Sequence, residues 1–419
     1  MSAPHEIVVL GGNFAGVGLV HYLFKITIPS LQKLDPAKTF HITLVTPNTD
    51  LFFKIGSPRA LINDKLMPES KILRPLSEGL SKYKPEQFTL TQALATSLDA
   101  SKRTVTIAPV GSETTTELPY DSLFISTGTT STSPLWTFHA DQSLTSAALK
   151  SMHASLPTAK TVLIAGGGAV GIETAGEIAH FFPGIKISLL SGAARLLPNN
   201  PPAIGPRAQS YLETHAKVEV IHKLRVEGSN VSETGTTVTL SDGSTKTADL
   251  YIDATGGKAN TGFLKADWLD GTKRVLTRDA YFRVKGNGSD DVEGVYVLGD
   301  VTADSANTAM VLDAQTPTVA SAFAVDFARK VIGVEAGEKN NPGLLGGLLG
   351  MVFGKKAGPP SLVEFKPMKD TMLVPVGPDG GVGLIMGWRF PSFLVAKIKG
   401  KNYLLEMFEP LLTGDKWKA

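Results

Sequence analysis

Thr161-Val162-Leu163-Ile164-Ala165-Gly166-Gly167-Gly168-Ala169-Val170-Gly171 passes from five residues suited to a buried strand, through three glycines, into a helical pattern that reaches Ala179. Gly166, Gly168 and Gly171 keep the G-x-G-x-x-G spacing. In that spacing the first glycine makes a tight turn, the second lets a pyrophosphate approach the backbone, and the third lets helix and strand pack closely. Free amides and the dipole at the helix N-terminus favour the phosphates of a dinucleotide. A further strand pattern, Ile185 to Leu190, completes a βαβ unit.

The same arrangement opens the chain. Ile7-Val8-Val9-Leu10 runs into Gly11-Gly12-Asn13-Phe14-Ala15-Gly16, an amphipathic helix extends from Phe14 towards Lys25, and Phe40 to Val45 reads as the second strand. Asn13 stands where the strict pattern has its middle glycine, so this copy is the weaker signal. Two copies imply two nucleotide-binding units and an α/β fold.

The end of the second strand normally carries an acid that accepts the ribose hydroxyls and repels a 2'-phosphate. Thr46 holds that place in the first unit, where its hydroxyl or Asn48 is the available substitute. In the second unit the place falls to Ser191-Gly192, with Arg195 close behind. No carboxylate there excludes NADPH, and Arg195 either pairs with the extra phosphate or faces solvent.

Other stretches fit two such units. Ile125-Ser126-Thr127-Gly128 and Ile252-Asp253-Ala254-Thr255-Gly256 are strand ends closing on Thr-Gly turns, suited to points where the chain passes between units. Val297-Leu298-Gly299-Asp300 sets a carboxylate at a strand end, in reach of a flavin's ribityl chain, and a long helix pattern spans Ala314 to Ile332. Gln87 to Leu90 and Thr104 to Ile107 read as an antiparallel crossover sheet, and Val238 to Leu240 as part of a second meander. The glycine-rich run 343–354 reads as a mobile connection, and Gly377-Pro378-Asp379-Gly380-Gly381 as a hairpin turn.

Composition narrows the chemistry. The 419 residues, 42% hydrophobic, suffice for two or three cores without a metal or disulfide staple, and no metal site is expected. A net charge of +2 argues against nucleic-acid binding and for small-molecule partners. The absence of cysteine removes disulfides, iron–sulfur clusters, thiolate nucleophiles and any Cys-x-x-Cys pair, so electrons must move through a bound cofactor. Met1 to His5 leads directly into the first strand, leaving no room for a signal peptide, and Ser2 is not the glycine that myristoylation needs. No stretch reaches the roughly 20 uninterrupted apolar residues of a membrane span.

In this order the motifs resemble the two-dinucleotide-binding-domain flavoproteins of the glutathione-reductase-like fold, over roughly residues 5–330. Within them, Leu51-Phe52-Phe53-Lys54, Ser57-Pro58-Arg59-Ala60, Gly171-Ile172-Glu173 and the hairpin tail look most like the apoptosis-inducing-factor-like branch, which includes the ferroptosis suppressor protein. The resemblance implies two Rossmann-like domains and a small α+β C-terminal region. The expected boundaries are an FAD-binding domain in two parts, 1–135 and 251–335, an NAD(P)-binding domain over 136–250, and a hairpin and helix region over 336–419.

It also implies roles. Gly11 to Gly16 would hold the FAD pyrophosphate, Arg59 would contact FAD, the backbone at Ala95 would meet adenine, and Asp300 the ribityl chain. A helix starting near Ala314-Gln315 would aim its N-terminus at the flavin. Glu173 beside the nicotinamide and Lys54 near the flavin are the catalytic candidates, each with a purely structural role as the alternative.

The implied activity is hydride transfer from NADH or NADPH to FAD, with electrons passed on to a quinone-like acceptor or oxygen. A flavin monooxygenase is the runner-up among enzymes, without a supporting motif. The alternative from another class is a redox-sensing or death-signalling flavoprotein with slow turnover. Trp388 to Leu394 with Lys397, Lys399 and Lys401 reads either as an interfacial membrane helix or as a cap on the flavin domain. A cytoplasmic chain, peripheral on the mitochondrial outer face or another membrane, is the expected location, with homodimerisation through the tail left open.

Overall fold

The computed structural model describes residues 3–139, 142–233, 235–286, 292–333 and 359–418. The expected connection at 343–354 lies outside the described residues. The first unit is a five-stranded parallel sheet in the order Val295–Val297, Ser122–Ile125, His5–Leu10, Phe40–Thr46, Phe88–Gln92. His5–Leu10 is apolar at consecutive positions because both of its faces are covered. Ile7 and Val9 join the core under the helices, whereas Val8 and Leu10 join a separate core under the antiparallel sheet of Leu94–Asp99, Thr104–Ala108 and Thr116–Pro119. Burying a side chain of this size contributes roughly 1.5–3 kcal/mol.

Phe88–Gln92 departs from the expected crossover sheet. It pairs in parallel with Phe40–Thr46 at the edge of the main sheet. An edge strand is half exposed, so its alternation mimics that of an antiparallel strand.

The second unit repeats the plan with four parallel strands in the order Glu219–His222, Lys186–Ser191, Thr161–Ala165, Leu250–Asp253. Leu163 and Leu190 face the antiparallel Val226–Ser232, Gly235–Leu240 and Thr245–Ala248 sheet, while Val162 and Ile164 face the helices. Because Leu250–Asp253 pairs with Thr161–Ala165, the second unit extends past the expected boundary at 250. The two chain crossings, Thr129–Ser131 and Gly257–Ala259, pair with each other as an antiparallel ribbon.

Among the described residues one helical stretch, Phe14–Gln32, is long and apolar enough to cross a membrane. Its Val17, Leu19, Val20 and Leu23 are completely buried in the first unit, which accounts for its apolarity.

The C-terminal region clamps both units. Met372–Pro375, Gly381–Ile385 and Trp388–Phe390 form an antiparallel sheet joined by the expected hairpin. It lies so close to the second unit's helix Ala169–Phe181 that a Cβ on Gly176 would come within 2.6 Å of the Val376 and Gly377 backbone. The helix Phe408–Leu412 packs on the first unit, where His21 Nε2 donates to the Leu412 carbonyl at 2.8 Å and Nδ1 accepts from the Tyr83 hydroxyl at 2.7 Å.

Burial, reinforced by Lys82 and Lys25 and opposed by the Leu412 carbonyl and Asp415, lowers the His21 pKa to about 4. The unfolded chain therefore binds more protons than the folded one between pH 4 and 6.5, and stability falls as pH drops through that window. We expect His21 to cost about 2 kcal/mol of unfolding free energy between pH 7 and 5. Urea unfolding of His21→Asn at the two pH values checks this: an unchanged pH dependence would refute it.

Candidate dinucleotide sites

The two glycine turns make the same close backbone approaches. A Cβ on Gly11, whose φ is +107°, would lie 2.4 Å from the Ser126 carbonyl oxygen; on Gly166, φ +127°, it would lie 2.2 Å from that of Ala254. Gly16 and Gly171 are held against the carbonyls of Gly11 and Gly166. Gly12 and Gly167 rest on Thr46 and Ser191, whose hydroxyls turn back to the carbonyls of Asn48 and Ala193. Only glycine satisfies these approaches.

Beyond the first turn opens a cavity of about 770 Å³, within the roughly 300–1,000 Å³ usual for small-molecule sites. Gly11, Gly12, Asn13, Phe14 and Ala15 line it, as do Thr46, Lys54, Ala95, Thr127, Gly128, Gly299 and Asp300. Strands from distant parts of the chain thus deliver the expected residues to one wall. Asn13 caps the helix Phe14–Tyr22, its Oδ1 accepting from the Phe14 amide at 2.9 Å. At the other end Lys54 Nζ meets Asp300 Oδ2 at 2.9 Å.

Gly299, with φ +84°, donates its amide to Gln315 Oε1 at 2.8 Å. Gln315 is therefore a support for the turn that carries Asp300. The helix expected to start near Ala314 starts at Val311 and carries Pro317 in its interior. Ala309 and Leu312 consequently line the cavity, and Ala314 does not.

Arg59 also departs from expectation. It lies away from the cavity and grips Glu177 of the second unit's helix with Nε and Nη2, while Nη1 and Nη2 donate to the Lys401 and Gly400 carbonyls. Tyr403 and Phe181 flank the guanidinium at 5.3 and 5.4 Å. A neighbouring buried pair joins Glu173 to Lys399 at 2.6 Å, and burial, opposed by Lys399, raises the Glu173 pKa. The carboxylate expected beside the nicotinamide is held by the C-terminal region instead.

In the second unit, Gly168 caps the helix Ala169–Phe181 without a side-chain hydrogen bond and has open space around it. Gly256, with φ +106°, follows the strand that backs the Gly166 turn. Arg195 is half-buried, and its guanidinium donates to the carbonyls of Leu197, Pro198 and Asn200, folding its own loop. Ser191 is buried beneath Gly167.

Several cavity residues carry no local sequence signal. Asn260 exchanges hydrogen bonds with Thr127 across the two crossings, and Asp50, whose pKa burial raises against a hydrogen bond from Gln142, lines the wall near Thr46 with His139. Only the pairing of the crossings brings Asn260 here.

Residues 5–322 match the family described as pyridine nucleotide-disulphide oxidoreductase. The chain is 30% identical over 440 residues to oxidoreductase phnG of Penicillium herquei, covering 99% of this chain and 98% of that protein. It is 31% identical over 368 residues to oxidoreductase ptaL of Pestalotiopsis fici, covering 86% and 92%. The fold is shared with the sulfide:quinone oxidoreductase of Aquifex aeolicus, at a TM-score of 0.60 and 16% identity over 78% of each chain. It is also shared with a NAD-dependent persulfide reductase from A. fulgidus, at a TM-score of 0.56 and 22% identity over 76% of this chain and 58% of that one. With paired glycine turns, a cavity for one dinucleotide and these relatives, the chain belongs to the pyridine nucleotide-disulphide oxidoreductase family, with FAD and NAD(P)H as its cofactors.

Proposed function

We propose that the chain is an FAD-dependent NAD(P)H oxidoreductase of the apoptosis-inducing-factor-like branch that delivers electrons to a quinone-like acceptor. The observation carrying this reading is a second cavity of about 180 Å³ that shares Phe14, Ala309 and Leu312 with the first. Its other walls are largely apolar, with Phe53, Met407, Pro410, Leu411 and Trp417, beside the charged Glu406 and Lys416. A flat apolar ring suits such a space better than an ionic acceptor does. Bound FAD would supply two-electron chemistry between coenzyme and acceptor. The chain's own part is placement: the Gly11 to Ala15 backbone for the FAD pyrophosphate, Asp300 with Lys54 at the flavin end, and the Gly166 turn for NAD(P)H. With no cysteine in the chain, no internal dithiol relays the electrons.

Exposed aromatics in the last strand of the C-terminal sheet and in the helix after it support contact with a bilayer that holds such an acceptor. Trp388 is 81% and Phe393 68% exposed, with Arg389 and Lys397 beside them in the chain. Anaerobic mixing of the holoprotein with NADH or NADPH, then with a short-chain ubiquinone, tests the reading. Fast bleaching of the oxidised-flavin band and prompt recovery on adding quinone are expected. Sluggish recovery with a persistent charge-transfer band would favour a signalling flavoprotein instead. The Glu173–Lys399 pair gives that second reading its support, since it links the coenzyme helix to the C-terminal region.

A further inference from the structure

The adenosine end of a coenzyme on the second unit falls beyond the carboxyl ends of its parallel strands. Ser191 ends one of these strands and His222, its partner in register, ends the next. From there the chain doubles over the first loop: the Lys223 amide donates to the Ala193 carbonyl at 3.2 Å and the Leu224 amide to that of Ser191 at 3.3 Å. Lys223 adopts φ +63°, uncommon for a lysine, in making this turn. Arg225 is thereby laid across Gly192. A Cβ on residue 192 would come within 2.8 Å of Arg225 Cγ, so glycine is what leaves room for the side chain.

Arg225 is exposed, and its guanidinium makes no hydrogen bond or ion pair among the described residues. Lys223 is exposed on the same edge. No carboxylate occurs in 191–200 or 220–226; Glu227, exposed, follows in the next strand. Glu219, which precedes this edge, accepts from Ser188 and lies 3.8 Å from Lys246, and Asp242 accepts from the Ser244 amide and hydroxyl. The place where an acid would exclude a 2'-phosphate thus holds an uncommitted planar cation suited to a phosphate.

We propose that Arg225, assisted by Lys223, binds the 2'-phosphate of NADPH and makes this unit selective for the phosphorylated coenzyme. The reading residue comes from the turn that follows the neighbouring strand, Glu219–His222, and Gly192 is its platform. Arg195, already committed to three carbonyls, is a loop-folding residue.

Calorimetric titration of the FAD-loaded protein with 2',5'-ADP and with 5'-ADP tests this without turnover or any electron acceptor, so its failure is separable from failure of the quinone reading. We expect 2',5'-ADP to bind at least about tenfold more tightly, with the advantage shrinking as salt rises. Arg225→Gln should remove most of that advantage while 5'-ADP affinity stays within about twofold. Gly192→Ala, which displaces the arginine, should act in the same direction. Equal affinity for the two ligands in the native protein would overturn the proposal. So would an undiminished preference in Arg225→Gln, or a preference lost in Arg195→Gln while Arg225→Gln retains it.

Discussion

Gly11→Ala should yield protein that carries no flavin. The residue sits at φ +107°, and its new methyl would be built 2.4 Å from a backbone carbonyl that cannot rotate away. A left-handed non-glycine residue alone costs on the order of 1–3 kcal/mol, and moving the Ser126 strand end would also move Thr127 and Gly128 in the cavity wall. We expect FAD affinity to fall by roughly 100-fold or more. Gly168→Ala provides the contrast. Its φ is −82° and nothing lies within 4 Å, so the fold and the bound flavin should survive. The added methyl would stand where a coenzyme pyrophosphate approaches the helix, so NAD(P)H binding alone should weaken. Flavin absorbance per chain and coenzyme titration separate the two outcomes; equal flavin content in Gly11→Ala and the native protein would refute the account of the turn.

Arg59→Ala carries the largest expected loss of stability. Glu177 is completely buried, and without Arg59 its remaining side-chain partner is Tyr403, at 3.1 Å. Removing one member of a buried pair costs about 3–5 kcal/mol, whereas replacing both by apolar groups of similar volume is often close to neutral. Arg59→Ala should therefore unfold at markedly lower denaturant, and Arg59→Met combined with Glu177→Leu should recover most of the loss. Because Arg59 lies outside the cavity, the folded fraction of Arg59→Ala should keep its FAD, which a direct FAD contact would not allow. A change below about 1 kcal/mol would contradict the buried-pair account.

These two experiments mark the limit of what could be read from the chain. Gly11, Gly166 and the strands before them were legible because turn, strand and helix signals lie within a dozen residues of one another, and local sterics decide them. The positions after the second strands, Thr46 and Ser191, were legible as lacking an acid, but their hydroxyls face their own loops. Arg59 and Glu177 stand 118 positions apart, and Glu173 and Lys399 are 226 apart, so no local pattern could join them. Arg225 carries no local signal for the same reason: it reaches Gly192 only through parallel pairing of Lys186–Ser191 with Glu219–His222. Phe88–Gln92 shows a subtler limit, since exposure at a sheet edge gives a parallel strand the alternation of an antiparallel one.

The most direct test of the whole account is the visible spectrum of the purified chain, recorded before and after anaerobic addition of NADPH and, separately, NADH. The account predicts one FAD per chain and an oxidised-flavin band that bleaches on adding coenzyme. A colourless protein that cannot be reconstituted with FAD, or bound flavin that neither coenzyme reduces, would contradict it.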